Sequence, residues 1–310
     1  AAGSLALTDR LKMTGEETAV TYPEFYRQPD GGLLFFYRHG RSGDGDLVLN
    51  RYDVQTETWS RVYTGLLDGE GQRNAYWQAA IDHAGTLHVS WVWRETGDVA
   101  TNHDICYARS HDGGVTWERS DGTEQPLPIT AGNAEYAARI PQGSALMNQT
   151  AMCADGNGNP YIANYWRPAP GAVPQYHVVF HDGEGWHTSQ VTERTMDFDL
   201  QGGGTKRVPI SRPQIVADNR GDTPRAYMLF RDAERGHRVS VAICDDLREP
   251  AWRFLNLTDF PVDQWEPTYD TTLWEARHEL HVFVQRVGQG DHETLQDYPP
   301  TPVSVLAWTP

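Results

Sequence analysis

A tyrosine and an arginine on either side of a predicted turn could do chemistry together. The segment TYPEFYRQPDGGLLFFYRHG (21–40) places Tyr22 before a DGG turn at 30–32 and Arg38 after it. Asp-Gly and Gly-Gly pairs favour the tight turns of β-hairpins. A hairpin here would bring the phenol and the guanidinium together. Because arginine binds carboxylates through two parallel hydrogen bonds, the pair suits an acidic ligand.

Further aromatic, amide and basic side chains follow along the chain near the ends of strand-like segments. Exposed aromatic rings stack on sugars and arginines bind carboxylates, so this set of residues predicts an acidic carbohydrate as the ligand. The candidate substrate-binding residues are Asn74, Tyr76, Trp77, Arg94, Asn102, His103, Asn148, Tyr165 and Arg212.

These residues also have structural explanations. Aromatic side chains dominate core burial, so a Trp or Tyr in a sheet more often packs between sheets. Arg94 can form an ordinary ion pair with Glu95, and His103 can cap a turn beside Asp104. A metal site built from His103, Asp104 and Cys106 is conceivable, although this spacing matches no strong ligand motif.

A repeated pattern organises the chain: a polar turn rich in Asp and Gly precedes a strand of apolar and aromatic residues. A second strand signal follows each copy, which is typical of antiparallel strands in one sheet. The many glycines, prolines and aromatic residues (29 Gly, 19 Pro, 11 Trp, 14 Tyr, 9 Phe) lack a helical apolar periodicity and indicate an all-β protein. Five copies are visible, at 28–38, 82–94, 155–166, 218–231 and 275–286.

One sequence motif favours a particular all-β architecture. SHDGGVTW, from Ser110 to Trp117, fits the Asp-box pattern S-x-D-x-G-x-T-W, a hairpin whose Asp binds its own turn and whose Trp packs beneath the sheet. We therefore predict a β-propeller of four-stranded antiparallel blades, which closes such repeats radially. Since each blade buries its faces against its neighbours, one domain is expected over 1–310. A two-sheet sandwich is the alternative fold.

The composition excludes several classes of function. The 310 residues include 42 acidic and 26 basic side chains, and the net charge of −16 repels phosphate backbones and anionic membrane surfaces. No apolar run approaches the roughly 20 residues of a membrane helix. The three cysteines are far apart and define no disulfide framework, so each is expected as a small buried residue. Neither nucleic acid nor a membrane is a predicted partner.

Several segments, among them TYPEF, YRHGRSGDGDLVLNRYD, NAYW, SWVWR and NHDICYARS, occur in an order that resembles the BNR-repeat polysaccharide lyases, specifically the propeller families that contain the ulvan lyases. The resemblance implies a seven-bladed propeller that cleaves a uronic-acid-containing polysaccharide by β-elimination. It also implies that Tyr22 and Arg38 are catalytic, because such lyases carry a tyrosine on a TYP strand and an arginine sixteen residues later. The β-elimination that the resemblance implies requires no cofactor, and the sequence does not decide whether a structural metal ion is bound. A polysaccharide substrate favours a secreted or periplasmic protein.

The chain departs from these lyases in one respect. They carry a pair of active-site histidines upstream of the TYP strand, and this sequence begins after that point. Five repeats are visible where seven blades are implied, so we expect either that N-terminal blades are missing or that the ring is smaller. Open blade edges tend to pair with another chain, which predicts a homodimer.

β-Elimination at a uronate requires a cation for the carboxylate, a base for the C5 proton and an acid for the departing O4 oxygen. In the predicted site Arg38 binds the carboxylate and Tyr22 serves as acid, base or both. Tyrosine has an ordinary pKa of about 10, so Tyr22 could act as a base only if a cation such as Arg38 stabilised its phenolate.

Two other functions fit the same residues. A sialidase-type glycoside hydrolase would use an arginine cluster, a tyrosine nucleophile assisted by Glu24, and an acid such as Asp98 or Asp104. A non-catalytic carbohydrate-binding propeller would keep the arginines and aromatic residues and lack the chemistry.

Overall fold

The protein consists mainly of β-strands joined by turns, as the composition predicts. The structure is a computed structural model that describes residues 12–148, 151–218, 223–292, 294 and 296–310. Within these ranges there are nineteen β-strands and one seven-residue α-helix, α1 (Thr271–Arg277). No helix in the described ranges is long and apolar enough to cross a membrane.

The strands form five antiparallel sheets in chain order, called here sheets 1 to 5. Sheets 1 to 4 have four strands each and sheet 5 has three, and one parallel pairing, Gly45 with Asn74, joins sheets 1 and 2. Sheet 1 comprises β1 (Val20–Arg27), β2 (Leu33–Arg41), β3 (Asp44–Asp53) and β4 (Thr58–Leu67). Sheet 2 comprises β5 (Asn74–Ile81), β6 (Leu87–Arg94), β7 (Asn102–Ser110) and β8 (Glu135–Ala138).

The other three sheets follow the same order. Sheet 3 comprises β9 (Ala151–Ala154), β10 (Pro160–Trp166), β11 (Gln175–His181) and β12 (Trp186–Gln190). Sheet 4 comprises β13 (Gln214–Asp218), β14 (Arg225–Asp232), β15 (Arg238–Cys244) and β16 (Arg253–Asn256). Sheet 5 comprises β17 (Thr268–Tyr269), β18 (Leu280–Val284) and β19 (Ser304–Trp308), with α1 between its first two strands.

Each repeat of the sequence corresponds to one sheet. The apolar strand of each copy is the second strand of its sheet, namely β2, β6, β10, β14 or β18, and the second strand signal is the third strand. All residues of β6 and β10 are buried, which explains why these copies read as continuous apolar and aromatic runs. Residues 219–222 of the fourth copy lie outside the described residues. Five successive sheets are not a two-sheet sandwich.

The sheets pack on one another in chain order through apolar clusters. Val92 of sheet 2 packs in one cluster with Ile162 of sheet 3, and Tyr165 of sheet 3 in another with Ile215 of sheet 4. A further cluster joins sheets 4 and 5 through Val282. The first strands lie side by side, with β5 between β1 and β9, and β9 beside β13. This is the arrangement of neighbouring propeller blades.

One edge of the sheets collects the start of each first strand and the end of each second strand, because the two strands are antiparallel. Thr21 of β1 pairs with Arg38 of β2, and Asn74 of β5 pairs with Arg94 of β6. Arg212 comes just before β13 and belongs to the same edge. We call this edge the site edge, because it holds most of the candidate functional residues.

The Asp-box turn has the hydrogen bonds that the sequence predicts. The Asp112 carboxylate accepts the amides of Val115 and Thr116, each at 2.9 Å, and the Thr116 hydroxyl at 2.7 Å. Trp117 is buried, and its indole nitrogen donates to the Gly114 carbonyl at 3.0 Å. The aspartate therefore organises the turn, and the tryptophan anchors it to the core.

We expect Asp112→Ala to lower the free energy of unfolding by about 1–3 kcal/mol, because several turn donors lose their acceptor. Thermal or denaturant unfolding followed by circular dichroism measures the change. Asp121→Ala is the matched control, since Asp121 lies in an exposed turn and accepts hydrogen bonds from Thr123 alone. If both variants are as stable as the wild type, the Asp box contributes nothing measurable to the fold.

Candidate active site

The structure brings Tyr22 and Arg38 together at the site edge, as the hairpin predicts. The Cζ atom of Arg38 lies 4.9 Å from the centre of the Tyr22 ring and 5.3 Å from that of Tyr76. The two rings meet edge to face, with their centres 5.5 Å apart. One guanidinium therefore contacts two phenols from neighbouring sheets, in a cation–π arrangement.

A β-bulge positions Tyr22. The pairing of β1 with β2 shifts register between Thr21 and Glu24, so Tyr22 and Pro23 form the irregular part of the strand. Proline lacks an amide hydrogen and occurs in strands at edges and bulges. Tyr22 has φ +53°, in the left-handed region that is unfavourable for an aromatic residue. Such strain clusters at functional sites, so the bulge favours a functional role for Tyr22.

Arg38 is buried and lacks a full set of hydrogen bonds. It is 5% exposed, and its Nε donates to Thr21 Oγ1 at 2.9 Å. Gly45 leaves room for it, because a Cβ there would lie 3.1 Å from Arg38 Cγ. Arg38 Nη1 is buried without a hydrogen-bond partner, and none of the ion pairs in the described residues includes Arg38. Buried polar groups are nearly always paired, so this free donor indicates a ligand.

Tyr76 lies behind Tyr22, and polar groups hold its hydroxyl. Tyr76 Oη shares a hydrogen bond of 2.8 Å with Ser42 Oγ, and Arg94 Nη1 donates to it at 3.4 Å. The Arg94 guanidinium also donates to backbone carbonyls of residues 96–97, which fixes its position. Arg94 therefore supports Tyr76 and does not form the ion pair with Glu95 that its sequence position allowed.

Asn74 supports this site by holding the turn that carries Ser42. It is fully buried, its Oδ1 accepts the Gly43 amide at 2.5 Å, and its Nδ2 donates to the Ala75 carbonyl at 3.0 Å. Gly43 has φ +78°, a conformation that glycine adopts without strain, and the bond to it fixes the turn that carries Ser42. Both polar groups of Asn74 are hydrogen-bonded inside the protein, and its contact with substrate stays a prediction.

The two phenols of the site have opposite pKa shifts. Burial raises the pKa of Tyr22, and the charge and hydrogen bonding of Tyr76 add to the rise. Burial also disfavours the Tyr76 phenolate, but the hydrogen bond of Ser42 and the guanidinium groups of Arg94 and Arg38 outweigh it and lower the pKa of Tyr76. The charge of Arg38 opposes the rise in the Tyr22 pKa but does not outweigh burial, so the role of Tyr22 as a base stays a prediction.

Arg212 reaches the site from sheet 4. Its Nε donates to Glu266 Oε2 at 2.7 Å, and its backbone amide donates to Glu266 Oε1 at 3.0 Å. Its positive charge opposes the rise in the Tyr22 pKa. Since 42% of its side chain is exposed, it remains accessible to a ligand bound at Tyr22.

Two predicted aromatic platforms are core residues. Trp77 is 3% exposed and meets the edge of the Tyr22 ring at 6.4 Å between centres. Tyr165 is fully buried and packs against Tyr176 and Phe198. Trp77 still lines a cleft beside Tyr22, and a stacking contact with a sugar stays a prediction for both residues. Packing between sheets accounts for the burial of both.

No hydrogen bond among the described residues joins Asn102 or Asn148 to Tyr22 or Arg38, and their contacts with substrate stay predictions. Asn102 is buried at the start of β7, where its Nδ2 donates to the Leu146 carbonyl at 2.9 Å and its Oδ1 has no hydrogen-bond partner. Asn148 is half-buried in the segment before β9.

His103 is bound between two carboxylates. Its Nε2 lies 2.7 Å from Glu95 Oε1 and its Nδ1 3.0 Å from Asp104 Oδ2. Burial disfavours the imidazolium, but these two carboxylates outweigh burial and raise the pKa of His103. Both ring nitrogens are occupied, so the predicted substrate contact through this ring does not fit.

The conceivable metal site is not formed. Cys106 is fully buried in an apolar cluster, and His103 and Asp104 are hydrogen-bonded to each other. Across the described residues no group of three His, Cys, Asp or Glu side chains could hold a metal ion. All three cysteines are free thiols, and Cys106 and Cys244 are buried as expected, with Cys153 partly buried.

The carboxylates that a sialidase-type mechanism would need have other partners. Glu24 accepts a hydrogen bond from Tyr26. Asp98 accepts the Ala100 amide at 2.9 Å and caps a short 3₁₀ turn. Asp104 binds His103 and the backbone of a neighbouring segment. None of these contacts places a carboxylate to activate the Tyr22 hydroxyl.

Sequence reasoning missed Thr21, Ser42 and Glu266, which hold Arg38, Tyr76 and Arg212 respectively. Thr21 stands directly before Tyr22, so its position in the TYP segment was a usable signal. Ser42 and Glu266 act across contacts between distant segments. No local pattern marks such contacts.

The fold and the site define an all-β protein with propeller-like sheets and an arginine–tyrosine site at one edge. Residues 2–194, more than half of the chain, match the model of the BNR repeat-containing family. The chain belongs to this family.

Polysaccharide lyases are among the proteins similar to this chain. The short isoform of ulvan lyase from Alteromonas sp. (strain LOR) is 29% identical over 135 residues, which are 40% of this chain and 26% of that protein. The crystal structure of a polysaccharide lyase superposes with a TM-score of 0.61 at 18% identity, over 94% of this chain and 62% of that one. An ulvan lyase bound to an oligosaccharide superposes with a TM-score of 0.54 at 17% identity, over 76% of this chain and 55% of that one. This chain thus covers less than two thirds of each relative, and at these identities the structures show the shared fold alone.

Proposed function

We propose that this protein is a polysaccharide lyase that cleaves a uronic-acid-containing, ulvan-like polysaccharide by β-elimination. The observation that carries the proposal is the buried Arg38 guanidinium, whose Nη1 donor has no partner and which lies against Tyr22. In a protein of net charge −16, a buried and unpaired cation suits an acidic ligand. The similarity to ulvan lyases supports this class of substrate.

In this proposal Arg38 binds the uronate carboxylate and thereby makes the C5 proton more acidic. Tyr22 is 37% exposed and is the phenol that contacts the sugar. Its raised pKa keeps it protonated at neutral pH, as a proton donor to O4 must be. Arg212, held by Glu266, offers a second cation beside Tyr22. These steps require no metal ion and no covalent intermediate.

We also propose that sheets 1 to 5 are blades of one propeller domain over residues 1–310. The side-by-side order of β1, β5, β9 and β13 supports this arrangement. The number of blades in a complete ring and the homodimer stay predictions. Light scattering of the purified chain tests the homodimer, and a clean monomer would contradict it.

The lyase proposal is tested by incubating the protein with ulvan and with other polymers of glucuronate or iduronate. We expect ultraviolet absorbance to rise as the unsaturated uronate forms with at least one polyuronate, and no rise with a neutral polysaccharide. New reducing ends without that chromophore would indicate a hydrolase, and calorimetric binding of unaltered polymer would indicate a binding module. Either result, or no reaction from a folded sample, overturns the proposal.

A further inference from the structure

A depression on sheet 4 holds a second group of arginines. It has a volume of about 390 Å³ and is formed by the turn between β14 and β15 together with the end of β16. We call it the sheet 4 depression. Its lining residues are Glu234, Arg235, Gly236, Arg238 and Asn256. The proposed elimination uses none of these residues, so the two arginines need another explanation.

Neither arginine of the depression forms an ion pair within the described residues. Arg235 Nε donates to Ser240 Oγ at 3.1 Å, and Arg235 Nη2 donates to Asn256 Oδ1 at 2.7 Å, so both acceptors are neutral. The Arg238 side chain makes no hydrogen bond in that part of the chain. Both arginines are half-buried. Two guanidinium groups that share a depression and lack a carboxylate partner indicate an anionic ligand.

The carboxylates closest to these arginines in the chain are bound by other groups. Glu234 Oε1 accepts the Thr195 amide at 2.8 Å and also accepts the Met196 amide. Asp232 Oδ2 accepts Arg194 Nε at 2.7 Å, and Asp232 Oδ1 accepts the Glu234 amide at 2.9 Å. The positive charge of the depression is therefore available to a ligand, although the protein as a whole has a net charge of −16.

The strand β16 adds an aromatic ring and an amide to the depression. Phe254 and Asn256 are two residues apart on this strand, so their side chains project from the same face. Phe254 is 39% exposed, and Arg235 Cζ lies 5.2 Å from the centre of its ring. Asn256 is exposed, and because its Oδ1 accepts from Arg235, its Nδ2 donor is left for a ligand. An exposed ring beside cations and an amide suits an acidic sugar.

The depression lies on the site edge, as Arg212 does. β14 ends and β15 begins at this edge, so the turn between them belongs to it, and Arg212 comes just before β13 of the same sheet. Neighbouring strands are about 4.8 Å apart, so the depression lies roughly 10–15 Å from β13. A few sugar residues span such a distance. One polymer chain bound at Tyr22 can therefore also reach the depression.

We propose that the sheet 4 depression is a second, non-catalytic binding site for the polysaccharide. Arg235, Arg238 and the Asn256 amide bind a carboxylate or sulfate group of a sugar, and Phe254 contacts the sugar ring. This inference rests on the acidic substrate of the proposed function and not on its elimination chemistry. A polymer held at both places is bound more tightly than an oligosaccharide at the cleavage site alone, because the second contact forms within one complex.

The first experiment compares the wild type with an Arg235→Gln/Arg238→Gln double variant in calorimetric titrations of three polymers. Dextran sulfate carries sulfates without carboxylates, polygalacturonate carries carboxylates without sulfates, and dextran is neutral. We expect the double variant to bind at least one acidic polymer about tenfold more weakly than the wild type does. Neither protein should bind dextran. The polymer whose binding is weakened identifies the anionic group that the depression recognises.

Arg253→Gln is the matched control. Arg253 is an exposed arginine on β16, but it is ion-paired with Asp245 at 3.4 Å and does not line the depression. We expect this variant to bind each polymer as the wild type does. An equal loss of binding in Arg253→Gln and in the double variant would mean that overall charge, and not the depression, determines the affinity, which contradicts the inference.

Kinetics on an accepted polyuronate separate the second site from the chemistry. The double variant should raise KM for the polymer about tenfold and leave kcat unchanged. An oligosaccharide too short to span both places should be cleaved at the wild-type rate. Higher salt should reduce the difference in polymer affinity between the wild type and the double variant, because it screens partly exposed charges.

Arg238→Gln alone is the second variant, should the double variant fail to fold, because the Arg238 side chain makes no hydrogen bond within the described residues. It should weaken binding of the acidic polymer about threefold. Wild-type affinity for both acidic polymers in these variants, or a wild type that binds neither polymer, overturns the second site. A wild type that binds through these arginines but cleaves no polyuronate overturns the lyase function alone. An active lyase whose double variant keeps the wild-type affinity and KM overturns the second site alone.

Discussion

Tyr22→Phe is expected to lower kcat/KM on a polyuronate by about 10³-fold or more, while the protein stays folded and still binds the polymer. The change removes one oxygen atom, and with it the phenol that protonates O4 in the proposed mechanism. The phenyl ring keeps its contacts with Arg38 and with the edge of Tyr76. Initial rates of unsaturated product formation, with polymer binding followed by calorimetry, measure the two effects separately.

The control for this variant is Tyr52→Phe, which removes a phenolic oxygen from β3, where the Tyr52 ring contacts Trp59. We expect it to retain the wild-type rate. If Tyr22→Phe forms product within tenfold of the wild type, another group transfers the protons and Tyr22 is a binding residue. If Tyr22→Phe no longer binds the polymer, the lost rate reports recognition and not proton transfer.

The parts of the site that lie on one hairpin could be predicted from sequence. Tyr22 and Arg38 flank a single tight turn, so pairing of β1 with β2 brings their strand positions together. The five sheets could be predicted for a similar reason, because each repeat carries its own turn and its own apolar strand. Local signals are sufficient where the contacts are local.

The electrostatic character of the two phenols could not be predicted in this way. The lowered pKa of Tyr76 depends on Ser42 and Arg94, which reach its hydroxyl from a turn of sheet 1 and from β6. The burial of the Trp77 and Tyr165 side chains could not be predicted from the sequence either. A strand in a stack of sheets has both faces covered, so an aromatic residue type does not say whether its ring is exposed.

The proposed site supplies two of the kinds of group that elimination needs. In the proposal Arg38 is the cation for the carboxylate and Tyr22 is the exposed proton donor. His103 lies in the same sheet as Tyr76, but its ring is held by Glu95 and Asp104.

Arg38→Met is expected to lower kcat/KM by about 10³-fold, and Arg38→Lys by about 10²-fold. Methionine keeps the length of the side chain and removes the charge. Lysine keeps the charge and loses the planar pair of donors that binds a carboxylate. Product formation on the accepted polyuronate measures both losses. Arg41→Met is the matched control, because Arg41 is on the same strand with 84% of its side chain exposed.

Stability separates a ligand-binding role of Arg38 from a structural one. A buried guanidinium with an unpartnered donor costs free energy of folding, so Arg38→Met should unfold at the same temperature as the wild type or higher. A structural cation would behave in the opposite way, since removing it would leave its partners unpaired. An Arg38→Met protein that is active but less stable would show that Arg38 holds the hairpin together and that the carboxylate is bound elsewhere. If Arg38 binds an acidic sugar, the Arg38→Met protein should be inactive and at least as stable as the wild type.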